Sequence, residues 1–577
     1  MQNNNKTPVS LQQQVEKYQQ AVAHLTQSGQ PFEIAETRRD SHSVRYYKSA
    51  PANLAQLYQM MLAHGDKEFL VSGEQRLSFR EVYQQACAFA LGLQQQLGVK
   101  KGDKVAIAMR NNPQWCIAFL AITAMGAVVV PLNSWWTGEE LIYALKDAGA
   151  DIAVVDGERA QRILGQDQGQ NIHLIHVAEP GGGEPGSHTC VDYASLLQEP
   201  ADSFPSTDID PEDEASIFYT SGSTGNPKGA LSTHRGIVSA LMSWALMSVA
   251  NHAAGLGEDL TDPNKKLAAL VTVPFFHVTG SHAIFLLSIA SGRKLVLMHK
   301  WDPKVALELI ERERITYFNG VPTMSQDLLN HPEFAQFDTS SLEEVFAGGA
   351  ARPAAHALRI HDEFGLNAGG AYGLTETNGL GCVISGAMYQ ARPSSVGMVT
   401  PNVTELKIAD ENGAELPAGE TGEICFRGPA NIVGYWKNTE ATAKSFDNGW
   451  FKTGDVGYRD ELGFLYIVDR IKDIIIRGGE NISCLEVESA LYQCPDVLEV
   501  GVVGIADERL GEAVGAVVYT DDGQQDADAI RDFLKGHLAQ FKIPQEILFS
   551  DEPLPRTASG KIHKPALREI FAQAISA

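Results

Sequence analysis

The sequence predicts an α/β protein: a large N-terminal part of layered β-sheets and helices, followed by a small α+β domain. Three observations carry that expectation. At 577 residues the chain is too long for one hydrophobic core, and roughly three to four domain-sized units follow from length alone. Buried-type strands alternate with helical stretches between Lys104 and Asp156, the pattern of parallel sheet layers. Beyond about residue 469 the pattern changes to helix, two long strands, helix, strand and helix.

Residues 1–50 read as a polar, Gln-rich leader with some helical character and no assignable chemistry. Leu54 to His64 reads as an amphipathic helix, and Leu77 to Tyr83 opens another behind a Ser78 cap. Lys104–Met109 is a buried strand, followed by a helix from Trp115 to Met125 and the strand Ala127–Pro131. The helix Glu139–Ala148 leads to the strand Asp151–Asp156. The longest apolar run, Trp115 to Val130, falls short of the about twenty residues that a bilayer span needs. Gly181–Gly186 and the acidic run Glu199–Glu214 read as surface loops.

The bulk numbers narrow the function. Lys+Arg 46 minus Asp+Glu 71 leaves a net charge of −25, which argues against a nucleic-acid binder. An anionic ligand would have to be held by a local cluster of donors against that field. The 7 cysteines include no C-x-x-C pair, and the N-terminus has no signal-peptide pattern. Both suit a reducing compartment and predict a cytoplasmic protein without a transmembrane segment.

The most informative stretch is Tyr219-Thr-Ser-Gly-Ser-Thr-Gly-Asn-Pro-Lys-Gly229. A β-prone run, Ala215–Thr220, feeds into hydroxyls and glycines, and Lys228 closes the segment. Glycines let backbone curl close to an anion, hydroxyls and N–H groups donate to phosphate oxygens, and the lysine adds a point charge. Lys228 is followed by glycine, so this is not a Walker A loop; alone, the stretch would read equally well as a polar flexible loop. Further blocks follow in order. They are Phe275-Phe-His-Val-Thr-Gly280, Phe346-Ala-Gly-Gly-Ala-Ala-Arg-Pro353, Gly369-Gly-Ala-Tyr-Gly-Leu-Thr-Glu-Thr377 and Gly449-Trp-Phe-Lys-Thr-Gly-Asp455. Asp469-Arg-Ile-Lys-Asp-Ile-Ile-Ile-Arg-Gly-Gly479 and Pro555-Arg-Thr-Ala-Ser-Gly-Lys561 complete the set.

Together these blocks resemble those of the adenylate-forming superfamily (acyl-CoA synthetases, luciferases and peptide-synthetase adenylation domains). The resemblance covers nearly the whole chain and is weakest over the first fifty residues. It implies a large ATP- and acid-binding domain at 51–469 and a small, mobile domain at 470–577, with the hinge at Lys472. The phosphates of ATP would be held by Thr220, Ser221, Gly222, Ser223, Thr224, Gly225 and Lys228. Gly349, Ala350, Ala351, Ala371, Tyr372 and Gly373 would form the adenine site, with Tyr372 as the stacking face. Asp455 and Arg470 would take the ribose. Thr375 would reach the α-phosphate, and Glu376 with Thr224 would bind Mg²⁺, a hard cation suited to oxygen ligands. His277 would position the acid or gate its tunnel, and Lys561 would be the catalytic lysine. Gly478 and Gly479 would border the channel for CoA.

The implied reaction activates a carboxylic acid to an acyl-adenylate and transfers the acyl group to CoA. The chain ends one helix after the closing motif, and Gly280–Leu287 lacks the acidic residue expected for an α-amino substrate. A free-standing fatty acyl-CoA synthetase therefore fits best. Val273, Phe275, Val278, Phe285, Phe318 and Val321 are expected to line an apolar slot for a medium or long chain. An aryl-CoA ligase, a ligase loading a carrier protein and a non-catalytic acyl- or nucleotide-binding protein remain alternatives, and a homodimer is left open.

Overall fold

The computed structural model describes residues 10–39, 42–178, 190–220, 227–257, 265–349, 352–400, 403–494, 497–520, 526–557 and 561–576. Ser221 to Gly225, Ala350, Ala351 and the Gly181–Gly186 loop lie outside these. A large N-terminal α/β domain of mixed sheets precedes a smaller C-terminal α+β domain.

Two large sheets organise the first domain. Among the described residues, one has 8 strands, centred on Lys104–Ala108, Val128–Pro131 and Glu214–Thr220. The other has 9, and its middle runs Asn367–Gly373, Glu344–Gly348, Tyr317–Gly320, Ala268–Val271, all parallel. The helices Phe79–Leu97 and Pro113–Ala124 share one apolar core with strands of both sheets. That sandwiching explains why Pro113–Ala124 is apolar on every side: a helix covered on both faces has no solvent stripe to keep polar. The first of these helices starts at a capping box, Ser78 with Glu81, as its sequence predicts.

Several elements differ from expectation for local reasons. The helix expected over Leu54–His64 is broken at Gln59 into Leu54–Tyr58 and Met60–His64. Residues 10–39, expected as a leader, form the capped helix Leu11–Leu25 and the strand Ile34–Arg39, paired with His42–Tyr47. Val15, Tyr18 and Val22 recur at helical spacing and are buried in a second core with Leu246 and Ala250 of helix His234–Ala253.

A smaller sheet (Glu405–Ala409, Gly422–Arg427, Trp450–Arg459, Leu465–Arg470) leads into the C-terminal domain, built on the hairpin Val497–Asp507/Gly511–Thr520. Glu546–Ser550 adds a parallel strand to that hairpin, and helix Lys564–Ser576 packs against it. Among the described residues, no helix is long and apolar enough to cross a membrane.

Candidate active site

The cleft lies at the carboxyl ends of the parallel strands, where open α/β sheets bind ligands. Strand Glu344–Gly348 delivers Gly349, which adopts a positive φ of +80°. A Cβ at that position would stand 3.6 Å from Cε of Lys561, so the lysine of the C-terminal domain crosses directly over this turn. Strand Asn367–Gly373 delivers Ala371, Tyr372 and Gly373, followed by the short 3-10 turn Thr375–Thr377. Gly373 is required by close approach, because a Cβ there would meet the Gly379 carbonyl oxygen at 2.2 Å.

Asp455 and Arg470 face each other on paired strands, with Arg470 Nε 3.2 Å from Asp455 Oδ1. The Tyr372 hydroxyl donates to Asp455 Oδ2 at 2.6 Å. This buried aspartate, 4 % exposed, thus sits between a hydroxyl donor and a cation. Lys472 follows in a turn closed by the Asp473 and Ile474 amides on the Arg470 carbonyl. Its pKa is lowered, first by burial and then by Arg470.

Lys561 keeps an exposed side at the cleft mouth, yet the surrounding protein, and then Arg470 and Lys472, pull its pKa down to about 8. Asp455 opposes that shift. His277 stands close by, after the strand Ala268–Val271. Burial, helped by the charge of Lys561, lowers its pKa to about 4, so it is neutral at pH 7. Its Nε2 is shielded from solvent and has no hydrogen-bond partner among the described residues. Immediately after it the chain enters a π-helix, Thr279–Leu286. Wide turns of this kind occur mostly at functional sites.

On the other wall, Thr220 ends its strand and its hydroxyl reaches the Lys228 carbonyl at 3.4 Å. The ammonium of Lys228 lies 5.2 Å from the centre of the Tyr435 ring. The Tyr435 hydroxyl in turn donates to Glu376 Oε1 at 2.7 Å. Burial raises the pKa of Glu376, and the Tyr435 bond counteracts it. Gly478 and Gly479 are elsewhere. They form the two-residue turn of hairpin Ile475–Arg477/Glu480–Ile482, with φ of +62° and +91°, and the Gly478 amide donates to Leu510 O within the small domain.

Three residues of this cleft carry no signal in the sequence that singles them out. Tyr435 arrives through pairing of Gly434–Tyr435 with Lys228–Thr233, a long-range event. Asn378, at φ 53°, accepts from Ser232 Oγ and donates to Ala430 O, pinning the turn after Glu376. Arg556 reaches across from the small domain to Thr323 Oγ1 at 3.3 Å while ion-pairing with Glu499 at 2.6 Å.

The apolar slot needs correction. Phe275 and Phe285 are fully buried in the core with Trp115 and Phe119, and Phe318 points through the opposite face of its sheet into the second core. Strand residues alternate faces, so Phe318 cannot share a wall with its neighbours Tyr317 and Asn319. Val278 does remain near the cleft, in contact distance of Gly379 beside Trp244.

The sequence profile of the AMP-binding enzyme family matches residues 59–436, and that of the AMP-binding enzyme C-terminal domain matches residues 486–561. The chain belongs to this adenylate-forming family. It is 36% identical over 500 residues to a feruloyl-CoA synthase of an Amycolatopsis species, covering 86% of this chain and 95% of that one. A long-chain-fatty-acid–CoA ligase of Mycobacterium tuberculosis is 32% identical over 479 residues, covering 83% and 90%. Among solved structures, an anthranilate CoA ligase in complex with anthranoyl-AMP is similar, with a TM-score of 0.81 and 26% identity over 91% of this chain and 99% of that one.

Proposed function

We propose that this protein joins a carboxylic acid to AMP and passes the acyl group to CoA. The observation that carries the reading is the seating of Lys561 against Gly349, beside His277 and within the field of Arg470 and Asp455. In the first step a carboxylate oxygen bonds to the α-phosphorus of ATP while the bond to pyrophosphate breaks. Charge builds on the α-phosphate and the leaving group, so donors fixed in advance do most of the work. Lys561 and Thr375 face the α-phosphate, while Thr220, Ser221 to Gly225 and Lys228 hold the outer phosphates. Tyr372, with Gly349, Ala350, Ala351, Ala371 and Gly373, takes the adenine, and Asp455 with Arg470 the ribose. His277, neutral and with an unused ring nitrogen, positions the acid and takes no part in proton transfer.

Glu376 fits a divalent cation. It is a carboxylate whose ionised form is disfavoured by burial, and its Oε1 is fixed by Tyr435. With Thr224 it would hold Mg²⁺, which on nucleotide phosphates needs only one or two carboxylates. The bound cation would neutralise phosphate charge.

In the second step the CoA sulfur bonds to the acyl carbon, AMP leaves and the thiol proton is lost. The large domain spans 51–469 and the small one 470–577. Rotation at Lys472 withdraws Lys561 and brings Gly478–Gly479 to line the thiol's channel, a hinge closure of ordinary kind. A medium- or long-chain fatty acid is one substrate class. An aryl acid is the second, and the packing of Phe275, Phe285 and Phe318 into the cores favours it by removing half of the expected apolar lining. Pyrophosphate release across fatty, aryl and amino acids, with and without CoA, tests the reading. Acid-dependent release with AMP and acyl-CoA as products supports it; ADP, or no response to any acid, overturns it. Release without CoA turnover, restored by a carrier protein, would redirect the second step.

A further inference from the structure

The sheet face that runs down from the cleft carries a cluster of polar side chains at its lower end, next to the apolar Ala269 and Val271. Side chains on one face of parallel strands follow the register. Tyr317 pairs with Glu344, Asn319 with Phe346, Phe346 with Gly369, and Gly348 with Ala371. Gly348 abuts Thr279, two residues after His277, so this face begins at the acid site. Phe346 lies flat over Gly369, where a Cβ would meet its ring at 2.3 Å. Four residues below Gly348, at roughly 3.3 Å per residue or about 13 Å away, stands Glu344.

At that depth four polar side chains meet and leave several of their polar groups without a partner among the described residues. Arg293 is only 7 % exposed, its side chain has no salt bridge or hydrogen bond among the described residues, and its guanidinium is stacked 4.8 Å over the Tyr317 ring. Asn319 is 3 % exposed; its Nδ2 donates to the Tyr317 hydroxyl at 3.0 Å, while its Oδ1 has no partner among the described residues. Glu344 is half-buried and unpaired among them, and burial raises its pKa to about 7 against the pull of Arg293 and Arg352. Buried donors and acceptors left open are costly, and a site built to complete them discriminates strongly for a ligand that does so.

We propose that Arg293, Asn319, Tyr317 and Glu344 form a distal subsite that receives a hydroxyl group at the far end of the acid. A hydroxyl accepts from the guanidinium and donates to Asn319 Oδ1 or Glu344. A keto oxygen would use only the first contact, and a methyl end neither. The substrate class is therefore a hydroxylated acid on the order of 10 Å long, with a flat or compact body over Phe346. This rests on the acid-activating reading above and selects among its substrates.

The test measures acid-dependent pyrophosphate release for matched pairs: 4-hydroxybenzoate and benzoate, 4-hydroxycinnamate and cinnamate, 12-hydroxydodecanoate and dodecanoate. The hydroxylated member of the pair of fitting length is expected to have the higher kcat/KM by about 10- to 100-fold. In Arg293→Met and Glu344→Leu that ratio falls toward one. Glu344→Gln, which keeps an acceptor and the shape, retains part of it. Ratios of one or below in every pair, with pyrophosphate still released, overturn the subsite and leave acid activation standing. No release from any of the six acids or from hexadecanoate overturns acid activation itself. The wild-type ratio is measured without any substitution, so it decides the question even where a variant fails to fold.

Discussion

At Lys561 the wall of the cleft and the charge of Arg470 favour the neutral amine, and its pKa near 8 gives the residue a readable signature. In the proposed role the ammonium present below that pH would stabilise charge on the α-phosphate, and above it the charge is lost. The kcat/KM for ATP, which reports the free enzyme, is therefore expected to fall above pH about 8 in pyrophosphate exchange. Lys561→Arg should flatten that alkaline limb, because a guanidinium stays charged. His277, with a pKa of about 4, contributes no limb near neutrality. Lys561→Ala should cost adenylate formation on the order of a hundred- to a thousandfold while largely sparing thioester formation from supplied acyl-adenylate; equal loss in both would remove Lys561 from its role. Lys561, which the structure seats at Gly349, can be singled out in the sequence because Pro-Arg-Thr-Ala-Ser-Gly stands beside it. Tyr435 is not, since only strand pairing across the sheet brings it to Glu376 and Lys228.

Among elements, those whose signal is local can be read before folding: the capped helix Phe79–Leu97 and the long hairpin Val497–Asp507/Gly511–Thr520. Helix Leu11–Leu25 is obscured by its glutamines, although Val15, Tyr18 and Val22 already carry the spacing of one buried face. Faces of short buried strands are not legible, and Phe318, expected on the cleft side, looks the other way. In a strand covered on both sides, hydrophobicity does not say which residue looks which way. The turn from Arg470 to Ile474 is the element on which the proposed hinge depends. The Asp473 and Ile474 amides close it on the Arg470 carbonyl, whereas the Lys472 amide makes no hydrogen bond among the described residues. Lys472→Pro thus deletes no backbone bond seen in this conformer; it fixes φ at 472 and biases Ile471 toward extended backbone. Thioester formation is expected to slow more than adenylate formation when the half-reactions are timed separately by rapid quench. An unchanged ratio of the two rates would locate the hinge elsewhere.

For the whole molecule, a chain of net charge −25 that uses ATP and, in the proposed second step, CoA would have to gather two highly anionic substrates at one cleft. Lys228, on the large domain, and Arg470, Lys472 and Lys561, from the hinge onward, supply the local positive field. Most of that field therefore depends on how the small domain is docked. The structure records one docking, with Lys561 at Gly349 and Arg556 reaching Thr323, while the Gly478–Gly479 turn has no large-domain atom against it among the described residues. If both half-reactions use one cleft, fixing this docking should permit the first and block the second. Thr323→Cys and Arg556→Cys, bridged by a reducible bifunctional maleimide, would fix it. Cys190 and Cys494 are only half-buried, so each single variant serves as the control for labelling elsewhere. The bridged enzyme is expected to release about one equivalent of pyrophosphate per site and then stall with bound acyl-adenylate; reduction of the linker should restore acyl-CoA formation. Steady acyl-CoA turnover by the bridged enzyme would mean that the thiol reaches the acyl carbon without rotation, and that the two glycines are an ordinary hairpin turn.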